Sequence, residues 1–272
     1  MSGRGRARRL ARQLSERDVA ILKSLEALRL ASSAQLGRLH IEASKPATHG
    51  RKTRATLQRL TTLELVVRLP RRIGGLRAGS DGIVYGLSGL GQAVLDLGHR
   101  EPRRHRRVSY TKPAFQDHTL AVSELLVQLV DRARDDQAKL LGFTSEPNCW
   151  RRFSGLAGEL ITLKPDGFVR LGVDDGRYEI SAFLEIDLDS ESAPTIRRKL
   201  GVYHAYWNSG IEQQRFGVFP KTWWLVPDAA RLEAITRVIA RLPEETQELF
   251  TVCLLSEAAD QLTQVPLEGG AR

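Results

Sequence analysis

At 272 residues the chain is long enough for two domains of ordinary size, and its net charge of +9 is unevenly spread. Residues 1–115 carry 24 Lys and Arg against 8 Asp and Glu, the footprint of a phosphate-binding surface; the remainder carries 17 against 24, so contact with DNA there calls for a cation. No apolar run approaches the length of a bilayer span, and Cys149 and Cys253 have no Cys-x-x-Cys spacing, which excludes a membrane partner, a zinc site and a disulfide framework and points to free thiols in a reducing cytoplasm.

Arg4 to Arg9 has no apolar core behind it, so residues 1–14 read as a flexible basic arm rather than a secretory signal. Ser15 and Asp18 have the spacing of a capping box, and Val19, Leu22, Leu25 and Leu28 come after them at helical spacing. A short helix is predicted from Ala34 to about His40 with Ser33 as its cap, and a third from about Gly50 to Leu63 after the Lys45-Pro46 break. In that third helix Thr53, Thr56, Leu57 and Leu60 share the inward face. Arg51, Lys52, Arg54, Gln58 and Arg59 are left on the outer face and flanks. Arg51, Arg54 and Gln58 are the base-reading candidates, because an Arg fork matches guanine and a Gln amide matches adenine in a major groove. An ordinary solvated helix face has the same polarity, so the helix alone does not decide the matter.

The residues after it do. Leu65–Leu69 and Ile83–Leu87 read as two strands around a Gly- and Arg-rich turn that carries Arg71, Arg72 and Arg77. Three helices and a hairpin make residues 15–98 a winged helix-turn-helix, with those three arginines as backbone contacts on the wing and Ser88 capping a last helix. Residues 99–113 are polar and basic and read as a linker.

Residues 114–256 read as a second, α/β domain with a mixed sheet, and 257–272 as a flexible tail. Helical periodicity runs from His118 to about Arg134. Strands come next at Leu140–Phe143, Leu160–Leu163 and Ala182–Leu184, then a helix from about Pro194 to Trp207, and further strands at either Phe216–Val218 or Trp223–Val226 and at Leu249–Leu254. Lys164-Pro165-Asp166 ends one apolar run, and Glu185-Ile186-Asp187 ends another. Two neighbouring strands joined by a turn bring Asp166 and Glu185 together at one end of a sheet. Two converging carboxylates form a hard, all-oxygen site for Mg²⁺ (or Mn²⁺), which activates water and neutralises charge on a phosphodiester. The bland alternative is that acidic residues end strands and begin turns. The aromatics Tyr203, Tyr206, Trp207, Trp223 and Trp224 are assigned to the core rather than to base stacking.

This order of elements, with Pro165-Asp166 and Glu185-Ile186-Asp187, resembles the restriction-endonuclease-like nucleases of signature PD-(D/E)XK. More narrowly, Arg17-Asp18 to Gln35-Leu36, Val84–Leu87, His118-Thr119-Leu120 and Leu184–Asp187 with Lys199-Leu200 and Tyr203 beyond them resemble the replication-relaxation family of actinobacterial plasmids and integrative elements. The resemblance spans about residues 15–255. It implies action on plasmid DNA in replication, relaxation or mobilisation, with double-stranded DNA and other replication or relaxosome proteins as partners and a second copy of the chain also weighed.

The signature places lysine two residues after Glu185, where this chain has Asp187. Some members of the nuclease superfamily supply that lysine from the next helix, and Lys199 is the candidate here, on one helical face with Thr195, Tyr203 and Tyr206. The reading is a metal-dependent endonuclease with Asp166 and Glu185 as ligands, Asp187 in support and Lys199 as the motif lysine. The alternative is a non-catalytic DNA-binding regulator or relaxosome accessory factor with a degenerate nuclease domain.

Overall fold

The capping box expected at Ser15 forms in the computed structural model, which describes residues 3–43, 45–69, 82–98, 113–135 and 138–264. The chain divides into two units, Met1–Val127 and Gln128–Arg272.

The first unit begins with α1 (Gly3–Ala11). Most of the segment expected to be a flexible arm is therefore helical. Ala7 and Leu10 lie one turn apart and bury in the core, while Arg4, Arg8 and Arg9 stay exposed. In α2 (Glu16–Leu28), Ile21, Leu22, Leu25 and Leu28 form the buried stripe. The short strand β1 (Leu30–Ser32) is not foreshadowed in the sequence, because three residues between two helices show no period of their own. All three are buried, and they pair antiparallel with Val84–Gly86 (Leu30 with Gly86). The next helix, α3 (Ser33–His40), is capped by Ser32 rather than Ser33, in a second capping box with Gln35. Helix α4 (Pro46–Thr62) starts earlier than expected: Lys45-Pro46 is its first turn and not a break, since proline at the first helical position lacks only an N–H that would be orphaned anyway.

Strands β2 (Val66–Arg68) and β3 (Val84–Leu87) complete a three-stranded sheet of order β1-β3-β2, and α5 (Gly89–Leu95), capped by Ser88, comes after it. Helix, strand, helix, helix and hairpin in this order are the winged-helix arrangement. Arg71, Arg72 and Arg77, expected on the wing, lie outside the described residues, as do positions 99–112 of the expected linker.

Pro113 opens α6 (Pro113–Arg134), and the division between the units falls within this helix. Its first part packs on the winged helix. Ser123 Oγ donates to the carbonyl of Leu30 (2.7 Å), and Gln35 Nε2 donates to the Leu120 carbonyl and to Glu124 (both 3.0 Å).

Asp18 supplies a pH-dependent part of this unit's stability. It is 1 % exposed and accepts from the Ser15 N–H (2.9 Å) and from Arg59 Nη2 (2.5 Å). Burial alone raises its pKa, but the bonds from Arg59 and Ser15 and the Arg59 charge outweigh it, so the net shift is downward. A depressed carboxylate contributes stability above its unfolded value of about 3.9 and loses it as pH falls through the folded value. Asp18→Asn should therefore destabilise the first unit by about 1–3 kcal/mol at neutral pH, with the difference closing below about pH 4. Thermal melts of the two chains between pH 2 and 7 measure this; parallel curves would contradict it.

The second unit is built on a five-stranded sheet. Its first strand is β4 (Lys139–Ser145), and β5 (Arg151–Ser154) and β6 (Leu160–Leu163) form a separate two-stranded hairpin. Strand β6 is thus not the neighbour of the strand carrying Glu185, contrary to the expectation from sequence. That neighbour is β7 (Gly167–Val173), which pairs antiparallel with β4 and with β8 (Tyr178–Ile186). Ala182–Ile186 are buried without alternation, as expected of a central strand covered on both faces.

After the meander, α7 (Ala193–Asn208) and α8 (Ile211–Phe216) lead to β9 (Lys221–Val226), which runs parallel to β8. Helices α9 (Ala229–Ile239) and α10 (Glu244–Gln247) lead to β10 (Phe250–Leu254), parallel to β9. Of the two candidate strands after α7, the one at Trp223–Val226 forms, and Phe216 ends a helix instead. Tyr203, Tyr206 and Trp224 are buried in the core, as assigned. Within the tail expected from residue 257, α11 (Ala258–Leu262) is helical and buries Ala258, Ala259 and Leu262. Cys149 and Cys253 are free and buried. Among the described residues no helix is long and apolar enough to cross a membrane.

Candidate functional site

In the first unit, α4 presents its polar side outward. Thr53, Thr56, Leu57 and Leu60 are buried at the predicted spacing, and Arg51, Lys52, Arg54, Gln58 and Arg59 are exposed. These five do not have equal freedom. Arg59 is bound to the buried Asp18 on α2, and Lys52 Nζ donates to the Glu42 carbonyl (3.4 Å).

In the second unit, β7 and β8 bring Asp166 and Glu185 to one end of the sheet. Asp166 precedes β7, and its N–H donates to the Leu184 carbonyl (3.0 Å), extending the ladder by one residue. Its carboxylate then accepts the N–H of Ile186 at Oδ2 (2.7 Å), which lays the side chain across the strand beside Glu185. Its carbonyl accepts the Glu146 N–H (3.1 Å), so Asp166 is held on three sides by backbone.

Glu185 is 2 % exposed, and both its oxygens are engaged by α7. Lys199 Nζ donates to Oε2 (2.9 Å) and Tyr203 OH to Oε1 (2.7 Å). The i, i+4 spacing of Lys199 and Tyr203 puts both over the carboxylate from one helix face. Lys199 also pairs with Glu191 Oε1 (2.7 Å), in the segment between β8 and α7.

Burial first, and then the negative charge of Asp166, push the Glu185 carboxyl up to about 7, against the opposing pull of Lys199 and the Tyr203 hydroxyl. Burial pulls Lys199 down, but Glu185, Asp166 and Glu191 outweigh it, so its ammonium is held well above the usual lysine range. Tyr203 is raised by burial and by Glu185, and stays a neutral donor. Cys149, whose thiol donates to the Pro165 carbonyl (3.0 Å), is pushed up to about 12 by burial and by the charge of Asp166. It is an inert thiol supporting the Pro165-Asp166 turn, not a nucleophile.

Asp187 is also buried, but its oxygens are used elsewhere. Oδ1 accepts the Ser190 N–H (3.1 Å) and Oδ2 accepts from Arg231 Nη2 on α9 (2.5 Å). Arg231 also bonds the Glu191 carbonyl (2.6 Å) and pairs with Asp189 (3.1 Å). Asp166, Glu185 and Lys199 are brought together; Asp187 is committed to the arginine. Neither Arg231 nor Glu191 stands out in the sequence. Arg231 lies 44 residues from Asp187, with no local pattern to link them.

The donor set fits a hard divalent cation. Asp166 and Glu185 offer hard carboxylate oxygens, the ligand type that suits Mg²⁺ or Mn²⁺, beside the Lys199 ammonium. Among the described residues no group of three or more His, Cys, Asp and Glu is placed to hold a metal. The protein's share would thus be Asp166 and Glu185, with water and phosphate oxygens completing the shell, the usual way Mg²⁺ is bound.

Compared with known proteins, the chain matches the family model described as replication-relaxation over residues 22–222. No curated protein and no solved structure matches it.

Proposed function

The chain belongs to the replication-relaxation family, whose model covers well over half of it and points to plasmid replication or relaxation, and on that premise we propose that it is a metal-dependent DNA endonuclease directed to its DNA by the winged helix. The observation that carries this reading is the convergence of Asp166, Glu185 and Lys199, with the lysine supplied from α7 at 2.9 Å where the signature position holds Asp187. Asp166 and Glu185 would hold the metal, which lowers the pKa of bound water and neutralises phosphate charge. The Ile186 N–H orients Asp166 and the Tyr203 hydroxyl orients Glu185, so both carboxylates are set before DNA arrives. Lys199 places a permanent positive charge beside them, suited to the charge that develops on the phosphorus oxygens during hydrolysis.

A supercoiled-plasmid nicking assay with Mg²⁺ or Mn²⁺ tests this. The wild type should nick and Asp166→Ala should not. Equal nicking by both would trace the activity to a contaminant.

One observation favours the regulator or accessory-factor reading: both Glu185 oxygens already accept hydrogen bonds, from a lysine and a tyrosine, as in a site kept for structure alone. Mn²⁺ titration of the full chain separates the two. A degenerate site binds none, and a working site binds the ion and loses it in Asp166→Ala.

DNA recognition is assigned to α4. Arg51, Arg54 and Gln58 are its exposed readers, and Arg59 is better described as the partner of Asp18. Gln58→Ala should relax sequence preference at one position by about 1–3 kcal/mol. Arg59→Ala should lower stability more than it lowers affinity. Binding selections and melts on the same variants check both; a loss of affinity in Arg59→Ala without loss of stability would reverse the assignment.

A further inference from the structure

Hairpin β5–β6 is separate from the five-stranded sheet, and its two faces differ sharply. Inward, Phe153 and Leu163 join the core, and Arg151 lies over the rings of Phe168 and Phe183 and donates to Glu212 (2.8 Å). Strand alternation turns Arg152 and Ser154 outward on β5, facing Thr162 and Leu160 on β6. Continuing the alternation, Lys164 is exposed with its ammonium 5.0 Å from the ring centre of Trp150. This outer face carries two exposed cations and no carboxylate, although the sequence beyond residue 115 is acidic as a whole. At the tip, Leu156 is fully exposed and Leu160 is 73 % exposed. The one acidic residue of the turn, Glu159, is folded back onto the turn, where it accepts the N–H of Ala157 (3.1 Å).

We propose that this outer face is a second DNA contact, a two-stranded ribbon lying along the duplex with Arg152 and Lys164 on phosphates and Leu156 inserted in a groove. The inference rests on the nuclease reading and extends it to the positioning of substrate. Three observations select DNA as the occupant. The charge complements a polyanion, in a part of the chain where cations are outnumbered. The ribbon has the dimensions a groove admits, and an exposed apolar side chain such as Leu156 at its tip is the kind that wedges between base steps. The hairpin also runs directly through Lys164-Pro165 into Asp166, so a duplex held on it passes the carboxylates. Leu156 and Leu160 alone offer too little apolar surface for a stable contact with a second copy.

The test uses the full chain with Leu156→Cys carrying an environment-sensitive fluorophore. The two native cysteines are buried, so the label goes to one site. Duplex DNA is titrated in EDTA, so that binding is read without cleavage. The emission should shift to the blue and saturate with DNA anisotropy, while a label at exposed Glu245→Cys stays unchanged. Arg152→Glu with Lys164→Glu should weaken binding at least tenfold and flatten the salt slope by roughly two units. Saturated DNA binding with no change at position 156 overturns the proposal, as does a shift that tracks protein concentration without DNA, which would identify a second copy as the occupant. A positive contact in a wild-type chain that never nicks plasmid would count against the nuclease reading alone.

Discussion

Replacing Lys199 by alanine should slow metal-dependent plasmid nicking by roughly two to three orders of magnitude, the usual loss when one preorganised donor to developing charge is removed. The ammonium bridges Glu185 Oε2 and Glu191 Oε1 and lies beside the carboxylates rather than free in solvent. Lys199→Arg keeps the charge but replaces a point donor with a broad planar fork, and should restore only part of the rate. Tyr203→Phe separates positioning from charge. It strips Glu185 Oε1 of its 2.7 Å donor in a fully buried setting, where a charge-assisted hydrogen bond contributes about 1.5–3 kcal/mol. Single-turnover rates, plasmid affinity and melting temperature on the three variants distinguish the roles. A Lys199→Ala chain that nicks at the wild-type rate would remove Lys199 from the chemistry.

Arg231→Met should destabilise the second unit by about 3–5 kcal/mol, the range found when one partner of a buried ion pair is removed. Asp187 is 2 % exposed and would be left buried without its partner. Arg231 also holds the Glu191 carbonyl, so the segment between β8 and α7 loses its anchor on α9 at the same time. Asp187→Asn combined with Arg231→Met should recover a good part of the loss, because the unpartnered acid is gone. The pair of variants also decides what Asp187 does. As a partner of Arg231, Asp187→Asn lowers the melting temperature and leaves Mn²⁺ affinity unchanged; as a metal ligand it would abolish binding. Calorimetry on the folded variant reads both quantities.

Much of the candidate site is legible in the sequence because it depends on local periods. Asp166 and Glu185 each end an apolar run, and Lys199 and Tyr203 fall one turn apart on a helix, so their convergence needs only a turn and a crossover. The strand pairing is a different matter. Leu160–Leu163 is as apolar as a sheet strand, yet it pairs with Arg151–Ser154, and the longer strand Gly167–Val173 takes the place beside Glu185. Strand partners are chosen by burial across the whole sheet, which a single run of residues does not encode.

By itself, the sequence determined the capping box at Ser15, the buried stripe of α4 and the pair of carboxylates. Caps and periods act within a few residues, where backbone geometry leaves few choices. Only the tertiary structure decided that Arg59 belongs to Asp18, that Asp187 belongs to Arg231, and that the start of α6 packs on the winged helix through Ser123 and Gln35. Each joins residues 41 or more positions apart. Long flexible side chains can reach many partners, and the fold selects one by burying a charge or carbonyl that must be satisfied.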